Sequence, residues 1–286
     1  MRKRIRGPIR GANLRNVIKR EDTVAVGVGS GGWFGRPARP VAAVRLAAAA
    51  DLRMSRELRG RLRLVLGSLP EVADVLLLAG GLTASGLVSE AEILADELDG
   101  LGLPIVAVLG AVDHEAGQEA PMRAALTSMG WRILESSATV VEAAGVRLGV
   151  AGMTGFAGGF GLDYQLWSAV REHRPADREQ SAALRFSKAL AGLPEQNADI
   201  RVALTHYSPS PATVAGERET IQANLGNELL GHAIDAGGAD VALHGMAVNG
   251  ARAGRTERGI PVYNVTHPLL GKPFTLLTLP VRARVR

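Results

Sequence analysis

Residues 74–86 read DVLLLAGGLTASG, an apolar run from Val75 to Ala79 that ends in a glycine pair, Gly80 and Gly81. A run apolar at every position, rather than at alternate ones, predicts a strand covered on both faces. Glycine at its end lets the chain turn sharply or lets another backbone approach closely. In open α/β sheets ligands bind where the carboxyl ends of strands meet the starts of helices. Yet this strand end delivers no charge, only Gly81, Thr83, Ala84 and Ser85.

The same pattern extends in both directions. VRLAAAAD is a strand ending at Asp51, and Ser55 caps a helix that runs to Leu66. VSEAEILADEL reads as a helix with Ser89 as its cap and acids in its first turn, and PIVAVLG as the next strand. After Trp131 come the strand RLGVAGM, a helix opened by Asp177, the strand IRVALTH and a helix over residues 221–235. DVALHG, PVYNVTH and FTLLTLPV complete the strands. Apolar runs alternating with helical patterns predict one α/β domain of layered sheets flanked by helices, over residues 41–286.

Composition narrows the function classes. With 286 residues, 47% hydrophobic and 21% charged, the chain is long enough to bury a substantial core. Aromatic residues make up only 4%, which disfavours stacked platforms for single-stranded nucleic acid. The absence of cysteine excludes disulfides and thiolate metal sites. No apolar run approaches the ~18 residues of a membrane span. The basic start MRKRIRGPIRGANLR is not followed by the apolar stretch of a secretory signal, so the cytoplasm is the expected compartment and no membrane partner is expected.

Charge is unevenly placed. Residues 1–20 hold eight basic side chains and no acid, so the +5 of the whole chain leaves the remainder at −3. Residues 1–40 therefore read as a basic N-terminal arm and linker. Such an arm suits a protein partner or a neighbouring subunit of a homo-oligomer, with nucleic acid as the other polyanionic choice. GVGSGG, at Gly27, Gly29 and Gly32, matches a dinucleotide-binding fingerprint. That fingerprint needs a following helix to present its amides to a pyrophosphate. Trp33, Phe34, Gly35, Pro37 and Pro40 follow instead, so no nucleotide cofactor is read from it.

The five strand ends AADLRMS, LLLAGGLTASG, AVLGAVDHE, VALTHYSP and ALHGMAVNG, in this order and spacing, resemble the calcineurin-like metallophosphoesterase family over roughly residues 44–270. The resemblance implies a four-layer sandwich of two mixed β-sheets flanked by helices. It also implies two metal ions at the strand ends that activate a hydroxide for attack on a phosphoester. The frame matches and the ligands do not. Asp51 keeps the first carboxylate, but Arg53 stands where a ligand histidine is expected. Gly81 replaces the bridging aspartate, Ala111 the ligand asparagine, and Val112 the histidine that assists the leaving group. His206 remains, while Met246 and Val248 occupy both final histidine positions.

Asp51 and His206 alone cannot hold two divalent ions, which need a shared anion and about three protein ligands each. No metal and no other cofactor is therefore expected, with Asp51 and His206 as residual ligand positions. Arg53 opposes a cation directly and is expected to pair with Asp51. Met246 and Val248 read as apolar filling of the vacated space. Asp113 reads as a turn or salt-bridge residue, His244 as a hydrogen-bonded core histidine, His114 as a surface or capping residue, and Asn249 with Gly250 as a tight turn. Arg252 and Arg255 read as rim charges or solvated side chains. The vestigial pocket is thus Asp51, Arg53, Asp113, His206, His244 and Asn249, with no catalytic residue. The expectation is a catalytically silent metallophosphoesterase-fold protein retained for binding or assembly. The alternative is a hydrolase with a rebuilt or metal-free site acting on a phosphate-bearing ligand.

Overall fold

A computed structural model describes residues 23–25, 42–171 and 178–281. Most of the basic arm, GVGSGG, Asp177 and the basic C-terminal end lie outside the described residues. The strands are β1 (Thr23–Ala25), β2 (Ala43–Ala49), β3 (Val75–Ala79), β4 (Ile105–Val108), β5 (Arg132–Leu134), β6 (Ser137–Ala143), β7 (Val146–Met153), β8 (Ile200–Thr205), β9 (Val241–His244), β10 (Ala253–Arg255), β11 (Pro261–Asn264) and β12 (Thr275–Pro280). The helices are α1 (Arg61–Leu66), α2 (Leu69–Val72), α3 (Val88–Leu98), α4 (Glu119–Ser128), α5 (Leu162–Arg171), α6 (Arg178–Ala191), α7 (Pro211–Val214), α8 (Glu219–Gln222), α9 (Glu228–Gly237) and α10 (His267–Leu270).

The strands form two six-stranded mixed sheets, ordered β1-β12-β2-β3-β4-β5 and β10-β11-β9-β8-β7-β6. In the first, only the β12–β2 pair is antiparallel. In the second, parallel β7, β8, β9 and β11 are flanked by antiparallel β6 and β10. Thr23–Ala25, inside the stretch read as an arm, pairs with β12, so that part of the arm belongs to the first sheet.

Alternation along each strand builds the layers. Val44, Leu46, Val75, Leu77, Val106 and Val108 meet Leu148, Val150, Val202, Leu204, Val241 and Leu243 in a core between the two sheets. The intervening residues Ala47, Ala49, Leu76, Leu78 and Ala107 face Leu94, Leu98, Met122 and Leu126 of α3 and α4. On the far side Ala151, Met153, Ala203 and Ala242 pack on Phe186, Leu190, Leu230 and Ile234 of α6 and α9. The result is helix, sheet, sheet, helix, as expected from strands apolar throughout. Each fully buried Leu or Val contributes about 1.5–3 kcal/mol, which is why short strands with few aromatics suffice.

Register is fixed at the amino ends of the strands by one repeated device. Asp74, Asp199 and Asp240, each just before a parallel strand, accept the backbone N–H of Arg45, Arg147 and Arg201 on the neighbouring strand, at 2.7, 2.9 and 2.8 Å. Arg45 closes the first of these with a 2.6 Å ion pair to Asp74.

Several helices differ from expectation. Gly60, at φ +80°, breaks the helix expected from Ser55 to Leu66 into a 3₁₀ turn and α1. The Ser55 hydroxyl bonds Glu57 instead of capping. The amides at the start of α1 are capped by a neighbour: Glu97 of α3 accepts from Gly60 N and Arg63 N. Ser89 lies inside α3 rather than at its cap, and the first-turn acid Glu90 reaches back to Ser85 N and Oγ at 2.9 Å. The helix expected over 221–235 is two, because Asn227 caps α9 by accepting from Leu229 N.

Candidate functional site: the converging strand ends

The carboxyl ends of β2, β3 and β4 in one sheet and of β8 and β9 in the other deliver Asp51, Gly80–Gly81, Gly110, His206 and Gly245–Met246 to one place. Backbone pairing continues past the strands, with Asp51 N donating to Gly80 O and Arg53 N to Gly81 O, both at 2.9 Å. Two further bonds tie the sheets together. His206 Nδ1 donates to Ala79 O at 2.9 Å, and Met246 N donates to Asp51 Oδ2 at 2.8 Å.

Asp51 is 3% exposed, and a buried carboxylate needs partners. Its Oδ2 also accepts from Thr266 Oγ1 at 2.6 Å. Its Oδ1 lies 3.7 Å from Arg53 Nη2, whose side chain is half exposed, so the expected Arg53–Asp51 pairing is present as a loose ion pair. Asp51, Arg53 and Met246 all have positive φ, at 57°, 49° and 71°. Left-handed backbone costs a residue with a Cβ about 1–2 kcal/mol. Such strain persists only where the surroundings over-determine it, and it concentrates at ligand clamps and active sites. Here the bonds from Asp51 N, Arg53 N and Met246 N impose it.

His206 is 1% exposed, its ring against two glycines. A Cβ on Gly80 would come 2.6 Å from His206 Nδ1, and one on Gly110 would overlap Gly81 N and lie 2.8 Å from His206 Cε1. Because a carbonyl only accepts, Nδ1 is the donor in its bond to Ala79 O. His244 is fully buried; Nδ1 donates to Gly245 O at 2.7 Å and Nε2 accepts from Thr213 Oγ1 at 2.8 Å. Burial, the largest cause, with the His206 ring adding to it, pushes its pKa down to about 4.

Asp113 lies in a 3₁₀ turn over Val112–His114, the turn of the two roles read for it, and makes no ion pair among the described residues. Its partners are four donors of the two loops: Thr83 N and Thr83 Oγ1 on Oδ1, Leu82 N and Gly110 N on Oδ2, at 2.6–3.1 Å. It locks GGLTASG to the loop after β4, which is what Thr83 is there for. Asn249 lies in a turn, where its N and Nδ2 donate to the two oxygens of buried Glu217 at 2.7 and 3.0 Å. His114 bridges Glu119 Oε1 at 3.1 Å and Thr154 Oγ1 at 3.3 Å. Val248 is exposed rather than filling a vacated space, because its turn points outward, while Met246 packs partly buried against Val214, Leu225 and Ala247. Arg255 donates to Gly259 O. Nothing in the sequence pattern singles out Thr266, Thr213 or Glu217, since lone hydroxyls and acids in loops carry no periodic signal.

These residues do not fit a two-metal centre. At the ligand positions the resemblance implies, the donors left are one carboxylate and one imidazole, and Oδ2 of that carboxylate accepts from Met246 N and Thr266 Oγ1. A side chain at Gly81 would start 2.6 Å from Asp51 Oδ1, so even the space of the bridging carboxylate is filled.

Among solved structures, the chain is similar to TT1561 of Thermus thermophilus, with a TM-score of 0.53 and 17% identity over 84% of this chain and 99% of that one. It is also similar to a Staphylococcus aureus protein described as a 5′-nucleotidase, in complex with alpha-ketoglutarate. There the TM-score is 0.50 and the identity 14%, over 84% of this chain and 55% of that one. No protein-family model and no curated protein matches the sequence. At these identities the likeness is one of fold, and the fold is metallophosphoesterase-like.

Proposed function

We propose that this chain is a catalytically silent protein of the metallophosphoesterase fold, retained for binding or assembly, whose basic N-terminal residues contact a partner or a neighbouring subunit. One observation carries the silence: Asp51 and His206 are the donors that remain, and no bridging carboxylate joins them. Asp51 and His206 each make a bond between the two sheets, and Gly81 leaves no room for a bridging carboxylate. A hydroxide-generating metal pair needs an anion shared between its two ions, and Gly81 supplies none.

The test is hydrolysis of an aryl phosphate monoester and diester with manganese present. The expected rate equals that of an Asp51→Asn/His206→Gln double variant. A metal-dependent rate lost in the double variant would overturn silence and favour a rebuilt hydrolytic site. For the N-terminal residues, neutralising Arg2, Lys3, Arg4, Arg6 and Arg10 to Gln removes charge without deleting β1. Light scattering is expected to show a smaller assembly for this variant, converging with the parent at high salt. Identical masses at every salt concentration would remove the assembly role.

A further inference from the structure

The charged groups of α9 lie apart from the strand-end centre and serve no purpose described so far. Asn227 caps α9, so Glu228 and His232, four residues apart, project from one face of its first turns. Glu257 arrives from the turn between β10 and β11. His232 Nε2 lies 3.7 Å from Glu228 Oε1 and 3.6 Å from Glu257 Oε2, and one ligand atom from each of the three residues falls within 4.8 Å of the others. We propose that Glu228, His232 and Glu257 bind a divalent transition ion of the zinc class.

The spacing favours an ion over direct pairing. At 3.6–3.7 Å the nitrogen is too far from either oxygen for a hydrogen bond. Tetrahedral bonds of about 2.0–2.1 Å place neighbouring ligand atoms about 3.3 Å apart, so the two contacts to His232 need a contraction of a few tenths of an ångström, and the two carboxylates, within 4.8 Å of each other, must close by up to about 1.5 Å through side-chain rotation. One imidazole nitrogen with two carboxylate oxygens is a donor set suited to zinc, and two negative charges balance the ion. The ligands are also held from behind. Glu228 Oε2 accepts from Gly161 N at 2.6 Å, leaving Oε1 free to turn toward the ion, and the Tyr164 ring stands edge-on to His232 with centroids 6.1 Å apart.

The three residues line a groove of about 530 Å³ whose walls include Phe160, Pro209, Pro211 and Arg255. Three protein ligands would leave a coordination position open, and Arg255 on the groove wall would add a positive charge for a small anion on the ion. The site shares no ligand with the strand ends, so it stands or falls independently of the silence proposed above.

The experiment uses the full chain, free of any tag and stripped with chelator, near neutral pH. Cobalt titration followed by visible absorption, then zinc competition, is expected to show one site per chain. His232→Ala and Glu257→Gln are each expected to weaken binding about tenfold or more. His114→Gln, at a half-exposed histidine elsewhere, leaves it unchanged. Circular dichroism confirms that the variants fold. Failure to bind either ion, or binding in His232→Ala equal to that of the parent, would overturn the proposal.

Discussion

The strand-end centre and the α9 groove draw on the same residue types, acids and histidines, and use them in opposite ways. At the strand ends Asp51, Asp113, His206 and His244 are buried, and their bonds run to backbone or to threonine hydroxyls. In the groove, Glu228, His232 and Glu257 are intermediate or exposed and face one another across distances too long for hydrogen bonds. A polar group bonded to backbone holds structure; acids and a histidine that converge at ion-pair range, without a hydrogen bond between them, can be drawn onto a ligand. On the readings proposed above, the strand ends and the groove differ in which of their donor atoms are already bonded within the fold.

The largest expected effect comes from the closest backbone packing. Gly110→Ala would place a methyl on Gly81 N and the His206 ring, neither of which is free to move. A loss of about 4 kcal/mol or failure to accumulate folded protein is expected in urea unfolding. Glu257→Gln, on the exposed turn, is expected to cost less than about 0.5 kcal/mol. Comparable losses at the two positions would erase the contrast between the centres.

Next is His244, whose fully buried ring titrates at about 4 in the folded protein. The unfolded chain takes up that proton near pH 6.5. Between those values the unfolded state holds more protons, so stability rises with pH there and is lost as pH falls from about 6.5 to about 4. The full loss is of order 3 kcal/mol below that window. His244→Asn is expected to flatten the pH dependence by about one proton between pH 4 and 6.5. An unchanged slope would mean the ring is not held neutral.

Asp113→Asn is smaller. The amide keeps one acceptor oxygen but turns an NH₂ toward two of the donors now shared by Oδ1 and Oδ2. A loss of about 2 kcal/mol is expected, with the Thr83 loop the first to exchange amide protons. A loss equal to that of an exposed Asp→Asn change would show that the loop is held by something else.

The layered fold was legible because β3 and β4 are apolar at every position, and β8 and β9 at all but Arg201, Thr205 and His244, a pattern that fits sheets covered on both sides. β6 was not, since its burial is broken along Ser137–Ala143 and its residues mix polar with apolar. Gly60 and Asn227 divided helices that periodicity ran together, since a single Gly or Asn in a helical pattern is tolerated as often as it ends one. In the strand-end centre, the residue that each strand end delivers could be read from its motif. The partners of the polar residues that remain could not, because Thr266 lies 215 residues from Asp51 and Thr213 31 from His244. For the groove, Glu228 and His232 carried a readable signal in their four-residue spacing, but Glu257 is brought to them only by the β10–β11 turn.

The smallest expected effect isolates what Arg53 does. Its guanidinium is half exposed and 3.7 Å from Asp51 Oδ1, a geometry worth less than about 1 kcal/mol once solvent screens it. Asp51 keeps Met246 N and Thr266 Oγ1 without it. Arg53→Ala is therefore expected to destabilise by under about 1 kcal/mol, an effect that fades with added salt. The backbone contributes separately, since φ at residue 53 is +49° and alanine retains that strain. Glycine adopts this conformation freely, so Arg53→Gly is expected to be more stable than Arg53→Ala by up to about 1 kcal/mol despite its greater entropy when unfolded. If glycine is the less stable of the two, residue 53 is not held in the left-handed region. If Arg53→Ala costs several kcal/mol, Asp51 depends on the guanidinium as a structural counter-charge, and the strand-end centre is held together by charge rather than by its backbone.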